Sequence, residues 1–400
     1  MSEKVVKKEE IENAQPDVLI VGAGLYGLTM AERIASRLGK KVLLIDKRSH
    51  IGGNCYSEFD TETGIECHKY GAHLFHTSDE RVWEYVNQFT TFTNYIHKVY
   101  ITHNGEVFPM PINLGTINQF FHTAYTPEEA RAEIAKQAAS APIEPLNLAE
   151  QGVKLIGKPL FDAFIKNYTA KQWQTPAEEL SPEIIKRLPV RYNYNNNYFK
   201  DTHEGLPTAG YEAWFQNMIS ACGENIEIRL NVDYFDDPEI KKLRKAKIMT
   251  IYTGPIDKFY DYKYGELKWR SIELEKEIVE VDDYQGCPVM NYADLKQKYT
   301  RIHEFKHFHP ERTEDCYAEG SGKTVIFKEY SKTWTRDDEP YYPVNTLDDR
   351  EKLARYKDLA DDEANMIFGG RLGEYAYYDM DKTIASALQK FDEIKEKLGS

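Results

Sequence analysis

The stretch Pro16-Asp17-Val18-Leu19-Ile20-Val21-Gly22-Ala23-Gly24-Leu25-Tyr26-Gly27 runs a short apolar, β-branched segment into a GxGxxG pattern. Leu28, Ala31, Ile34, Ala35 and Leu38 then recur at helical spacing, which predicts a helix over Leu25–Leu38 with Gly39 as its left-handed stop. Lys41-Val42-Leu43-Leu44-Ile45-Asp46 reads as a second strand that ends in an acid 19 residues after Gly27. Strand, glycines, helix, strand and terminal acid in one unit are the fingerprint of a dinucleotide-binding βαβ fold. Gly22 permits the tight turn, Gly24 lets the backbone approach a pyrophosphate, and Gly27 lets helix and strand pack closely. The first-turn amides and the positive end of the helix dipole face the phosphates. Asp46 stands where a carboxylate can accept the adenosine ribose hydroxyls.

Composition narrows the ligands. The 400 residues carry a net charge of −14, which argues against a nucleic-acid partner. A diphosphate ligand would need a few arginines to reverse that field locally. The 28 tyrosines suit stacking on a base or sugar together with hydrogen bonding to phosphate. Five scattered cysteines without a CxxC pair (Cys55, Cys67, Cys222, Cys287, Cys316) fit reduced thiols and a cytoplasmic location. No run approaches the length of a membrane span, and the charged residues 1–15 read as a flexible leader.

The residues just after Asp46 separate NAD from FAD. Lys47-Arg48-Ser49-His50-Ile51-Gly52-Gly53-Asn54 places a glycine pair six residues after the acid, which resembles the FAD family that includes amine oxidases and phytoene desaturases. From His50 the likeness becomes narrower. His50-Ile51-Gly52-Gly53-Asn54 and His68-Lys69-Tyr70-Gly71-Ala72-His73-Leu74-Phe75-His76-Thr77 resemble the prokaryotic UDP-galactopyranose mutases. So do Tyr168-Thr169 with Lys171-Gln172-Trp173, Lys186-Arg187-Leu188-Pro189-Val190-Arg191, Thr300-Arg301-Ile302, Tyr341-Tyr342-Pro343, and Gly370-Arg371-Leu372-Gly373 with Tyr377 and Asp379-Met380-Asp381. The departures are Ala72 where many members have proline, a longer leader, and an expanded His309–Lys323 stretch.

The fold class expected is α/β: a Rossmann-like FAD-binding unit with an inserted helical bundle and an antiparallel sheet domain. The flavin unit is expected over 16–95, completed by about 345–400 and part of 210–255. A helical insertion with a substrate lid is expected over 96–190, and the sheet domain over 191–210 and 256–344. Thr126-Pro127 marks a helix start, Ser181-Pro182 opens a candidate helix within Glu178–Arg187, and Ile384–Leu398 reads as a C-terminal helix packing on the first unit.

The resemblance implies interconversion of UDP-galactopyranose and UDP-galactofuranose by a cytoplasmic homodimer serving cell-surface polysaccharide. It implies a covalent route, with no net redox change, in which N5 of reduced FAD attacks the sugar's anomeric carbon. Arg187, on a mobile lid, and Arg371 would clasp the diphosphate in bidentate forks. Arg301 is a further family arginine, and His73 would lie near the flavin's reacting edge. Tyr198, Tyr342 and Tyr377 would hold phosphate oxygens through their hydroxyls. Tyr168 and Phe164 would flank the uracil, Trp173 would bind substrate near the lid segment, and Thr169 would be a further substrate contact. Cofactor contacts are expected at Gly22, Gly24, Tyr26, Gly27, Asp46, Lys47, Gly53, Asn54, His73, Leu74, Gly370, Arg371, Tyr378, Asp379 and Met380.

Two other readings compete. A true flavin oxidoreductase predicts an electron acceptor and an apolar substrate cavity, against which the arginine and tyrosine set argues. A nucleotide-sugar sensor would bind without turnover. His303, His307 and His309 lack the cysteine or acid that would complete a zinc set, so no metal is expected.

Overall fold

The computed structural model describes residues 15–186, 188–312, 314, 316–317 and 320–399. The expected leader, apart from Gln15, and Arg187 lie outside the described residues. The chain forms two compact units. The first takes in the chain up to Gly53, Glu212–Leu267 and the chain from Thr346 on; the second takes in Asn54–Tyr211 and Lys268–Asn345.

The first unit is built on a parallel five-stranded sheet in the order Met366–Phe368, Met249–Tyr252, Val18–Val21, Val42–Asp46, Ile226–Leu230. Its central strands are continuous apolar runs because both faces are covered; Val18, Leu19, Ile20, Leu44 and Ile45 have no exposed surface. Val18 lies level with Val42 on one side and Met249 on the other, which brings the three strand ends together. The helix Leu25–Leu38 connects the first two strands and stops at Gly39, whose φ of 63° is left-handed. A C-terminal helix, Met380–Gly399, packs along it and starts four residues before the expected Ile384.

The second unit is built on a seven-stranded sheet in the order Tyr342–Pro343, Trp269–Val279, Thr324–Thr333, Arg301–Glu304, Val289–Tyr292, Val99–His103, Glu106–Met110. Two of these strands come from the stretch expected to be a helical insertion. The signal for them is Asn104-Gly105, whose φ values of 52° and 84° make a two-residue hairpin turn between alternating strands. Val99–His103 pairs in parallel with Val289–Tyr292, so the sheet is mixed rather than wholly antiparallel.

The helices of this unit come after that hairpin. Pro127–Ala138 starts as expected, with Thr126 and Glu129 exchanging capping bonds. Leu148–Ile156 leads through a π-helical turn, Phe161–Lys166, into Asn167–Trp173. Among the described residues, the helix expected within Glu178–Arg187 does not form. Ser181 caps Glu183 N–H, but the chain makes only 3₁₀ turns at Ala177–Glu179 and Pro182–Ile184. Pro182–Ile184 buries no residue, so no packed face drives the turn to propagate.

Candidate active site

In the first unit the glycine loop is held from several sides. Gly22 N–H donates to Ile45 O at 2.8 Å, and Gly52 N–H donates to Ala23 O at 2.8 Å. A Cβ on Gly27 would lie 1.9 Å from Gly22 O, and one on Gly53 would lie 2.9 Å from Gly24 Cα, so two backbones cross where a side chain cannot fit. Gly24 caps the helix Leu25–Leu38 without a side-chain bond and no acid stands in the first turn, which leaves the amide end suited to phosphate. Asp46 ends its strand buried. Its Oδ2 accepts Ala23 N–H at 2.7 Å and its Oδ1 accepts Arg48 N–H at 2.8 Å. Each oxygen keeps a lone pair for a ribose hydroxyl.

Tyr26 fills the space beside a second glycine pair. A Cβ on Gly369 would lie 2.2 Å from the Tyr26 ring, and burial pushes the phenol's pKa far up. The hydroxyl has no partner among the described residues. Arg371 stands on the turn Gly370–Gly373, its guanidinium 6.0 Å from the ring of Tyr377, which is 59% exposed. Tyr378 donates to Glu374, which also accepts Ser386 Oγ–H at 3.2 Å. Asp379 O accepts Thr383 N–H at 3.0 Å where Met380 opens the last helix, and Lys47 is exposed beside Asp46. The crossing at Gly24 and Gly53, the open amide end, the terminal acid and the unpartnered Tyr26 hydroxyl together fit a pyrophosphate-linked dinucleotide.

The second unit gathers a different set around Arg301. This residue and Glu329 are cross-strand neighbours, with Nε 3.4 Å from Oε1. Glu329 Oε2 also pairs with His303 Nε2 at 2.9 Å. Arg301 Nη2 donates to the Tyr168 hydroxyl. Burial alone would push the Glu329 carboxyl up; Arg301 and the His303 bond outweigh it and bring the carboxyl down to about 2. Burial alone would pull the Arg301 pKa down; Glu329, then Tyr168, Tyr342 and Tyr198, outweigh it and hold it well above its ordinary value. The structure therefore brings together four residues expected at the substrate: Tyr168, Tyr198, Arg301 and Tyr342. Thr169 is buried on the helix Asn167–Trp173, and Trp173 ends that helix half-buried.

Phe164, expected beside the uridine, is placed otherwise. It has no exposed surface and packs against Phe108 at 4.9 Å and Phe120 at 5.5 Å. It supports the helix bearing Tyr168 from behind, because the π-helical turn directs it into the aromatic core. His73 is fixed by its own backbone: its N–H donates to His68 Nδ1 at 3.1 Å and its carbonyl accepts the Tyr211 hydroxyl at 2.6 Å. Leu74 comes next, half-buried, and Asn54 opens the second unit.

Two residues were missed in the sequence. Glu329 is one; Arg270 is the other, buried and bonded to Ser331 Oγ and Thr333 Oγ1, each at 2.9 Å, and to Gln172 O at 3.2 Å. Neither lies in a motif, and only strand pairing reveals them. The three histidines considered for zinc each face carboxylates: His303 faces Glu329, His307 faces Asp283, and His309 faces Glu311. Asp283, Glu304 and His307 bring ligand atoms within 4.8 Å of one another, but Glu304 already accepts from Tyr284 N–H, Gln285 N–H and the Thr324 hydroxyl.

The paired-glycine cradle and the parallel sheet define a dinucleotide-binding α/β protein of the flavoprotein kind. The family described as UDP-galactopyranose mutase matches residues 163–377, and the NAD(P)-binding Rossmann-like domain matches residues 20–89. The probable UDP-galactopyranose mutase of Klebsiella pneumoniae is 44% identical over 94% of this chain and 94% of its own. The dTDP-fucopyranose mutase of Escherichia coli is 40% identical over 93% of this chain and 96% of its own. A crystal structure of reduced UDP-galactopyranose mutase shares the fold, with a TM-score of 0.71 at 16% identity over 96% of this chain and 94% of that one. The chain belongs to the UDP-galactopyranose mutase family, and its cofactor is FAD.

Proposed function

We propose that the chain interconverts UDP-galactopyranose and UDP-galactofuranose without net redox change, as a cytoplasmic homodimer. The observation that carries the reading is Arg301, a partly buried guanidinium bonded to the Tyr168 hydroxyl and within electrostatic range of Tyr198 and Tyr342. A fixed cation with phenols around it suits the oxygens of a diphosphate. Bound reduced FAD would supply the nucleophilic nitrogen for the sugar's anomeric carbon. Arg301 and Arg371 would hold charge that builds on UDP as its bond to the sugar breaks. Tyr198, Tyr342 and Tyr377 would donate to phosphate oxygens, and Tyr168 and Trp173 would offer aromatic faces to the uracil. Arg187 would add a third guanidinium. None of the five cysteines is disulfide-bonded, which supports a reducing compartment. No helix among the described residues is long and apolar enough to cross a membrane.

The test is anaerobic incubation of the FAD-loaded protein with UDP-galactofuranose, with and without dithionite, following UDP-galactopyranose by chromatography. Conversion that requires dithionite is expected. No conversion, with UDP still bound, would move the reading to a sensor. Faster turnover of dTDP-fucopyranose in a parallel assay would reassign the substrate to that of the Escherichia coli relative. Light scattering on the same sample reads the oligomeric state.

A further inference from the structure

Lys171 makes an arrangement that the proposed chemistry does not use. Its Nζ donates to four backbone carbonyls of one loop: Tyr292 O at 2.6 Å, and Asp294 O, Gln297 O and Tyr299 O at 3.0 Å each. An ammonium has three N–H groups and no acceptor, so it suits a cluster of carbonyls that has no other cation. The loop joins the strand Val289–Tyr292 to the strand Arg301–Glu304, and so leads directly to Arg301. Lys171 lies three residues after Tyr168 on the helix Asn167–Trp173, on the same face. Helix and hairpin are thus fastened twice, once by Lys171 to the loop and once by Arg301 to Tyr168.

The loop is held from its far side as well. Asp294 accepts from Asn104 N–H at 3.0 Å and pairs with His103 Nδ1 at 2.9 Å. The His103 ring meets Phe164 edge-on at 5.8 Å. Burial draws the Lys171 ammonium down to about 8, with Asp294 opposing. The side chain is therefore charged near neutral pH, and that partly buried charge is met by the four carbonyls.

We propose that Lys171 is a positioning residue for the nucleotide site: its ammonium, caged by the carbonyls of the 292–299 loop, sets the register between the helix carrying Tyr168 and Trp173 and the strand carrying Arg301. The inference rests on the reading that this site takes UDP. A neutral side chain of the same length leaves four carbonyls facing each other without a cation. The loop then relaxes, and Arg301 and Tyr168 lose their common geometry. A guanidinium does not replace the ammonium, because its planar fork cannot direct donors at carbonyls arranged around a point.

The experiment is UDP binding to the FAD-loaded protein by calorimetry, in wild type, K171M, K171R and K171A. K171M and K171R should retain flavin and raise the Kd for UDP by about tenfold or more, as loss of a charge-assisted contact would. K171A should recover affinity as ammonium chloride is titrated in at constant ionic strength, but not with tetramethylammonium chloride, which is too large for the cage. Recovery by ammonium distinguishes an occupied cation cage from general loss of packing, and it decides the matter if K171M is unstable. Wild-type affinity in K171M, or K171A indifferent to ammonium, overturns the inference while leaving the UDP site intact. Wild type that fails to bind UDP overturns the nucleotide reading, and this inference with it.

Discussion

The carboxylate of Asp46 is bonded to the backbone N–H of Ala23 at 2.7 Å, so the acid at the end of the second strand also braces the glycine loop at the end of the first. A residue expected only to receive ribose hydroxyls therefore has a second task in the protein itself. The two tasks use different lone pairs of the same buried group.

Replacing Asp46 with Ala should leave Ala23 N–H buried without a partner, at a cost of about 1–3 kcal/mol. The expected result is a lower melting temperature and a lower FAD-to-protein ratio after gel filtration. Full flavin retention in D46A would show that the glycine loop holds its shape without the carboxylate.

Arg371 and Arg301 should both be needed for turnover, but they lie in different surroundings. R371A should keep its flavin spectrum while the rate falls by about a hundredfold to a thousandfold, the scale for losing one group that stabilises developing charge. R301A should lose UDP affinity as well, since Tyr168 and Glu329 lose their shared partner. Near-normal kcat in R371A, measured anaerobically with dithionite, would remove it from the chemistry.

Glu329 sets an acid limit on the site. Its folded pKa of about 2 is below its ordinary 4.5, so its contribution is complete above pH 4.5 and is lost as pH falls toward 2. The difference is worth on the order of 3 kcal/mol. E329Q should remove that loss from the acid limb of a urea-denaturation series. It should also destabilise the protein at pH 7 by about 3 kcal/mol, because Arg301 is left partly buried without its counter-charge.

His97 acts at milder acidity. Burial first, then the charges of His303, Arg301 and His76, bring it down to about 3, and its Nδ1 lies 2.9 Å from the Tyr95 hydroxyl. The unfolded chain takes up that proton near pH 6.5 and the folded one does not, so stability falls as pH drops from 6.5 toward 3. Between pH 7 and pH 5 the loss from this group is about 2 kcal/mol. H97Q should flatten the urea midpoint over that interval; an unchanged slope would assign it to other groups.

How far the sequence can be read depends on the range of each signal. The unit from Val18 to Asp46 was legible because strand, turn, helix and stop are written within a few residues of each other. Thr126 and Pro127 were legible for the same reason. The hairpin at Asn104-Gly105 was also written locally, yet its first strand pairs with Val289–Tyr292, far along the chain, and the helix-rich stretch that follows was extended back over it. Glu329 and Arg270 carried no local mark at all. Their roles arise from cross-strand register, which places Glu329 opposite Arg301 and Arg270 opposite Tyr342. Phe164 was expected beside the uracil only through the resemblance, and the π-helical turn it stands on cannot be read from its neighbours.

The parallel sheet of the first unit takes its strands from three distant parts of the chain, with Met366–Phe368 at one edge and Val18–Val21 in the centre. During synthesis the glycine loop is made before the second unit, and the strand and turn at Met366–Gly373 after it. The sheet of the first unit therefore gains its edge strand only after the whole of the second unit is made. The glycine cradle, which needs Gly369 and Gly370 against Tyr26, is therefore complete only when the second unit has already been made.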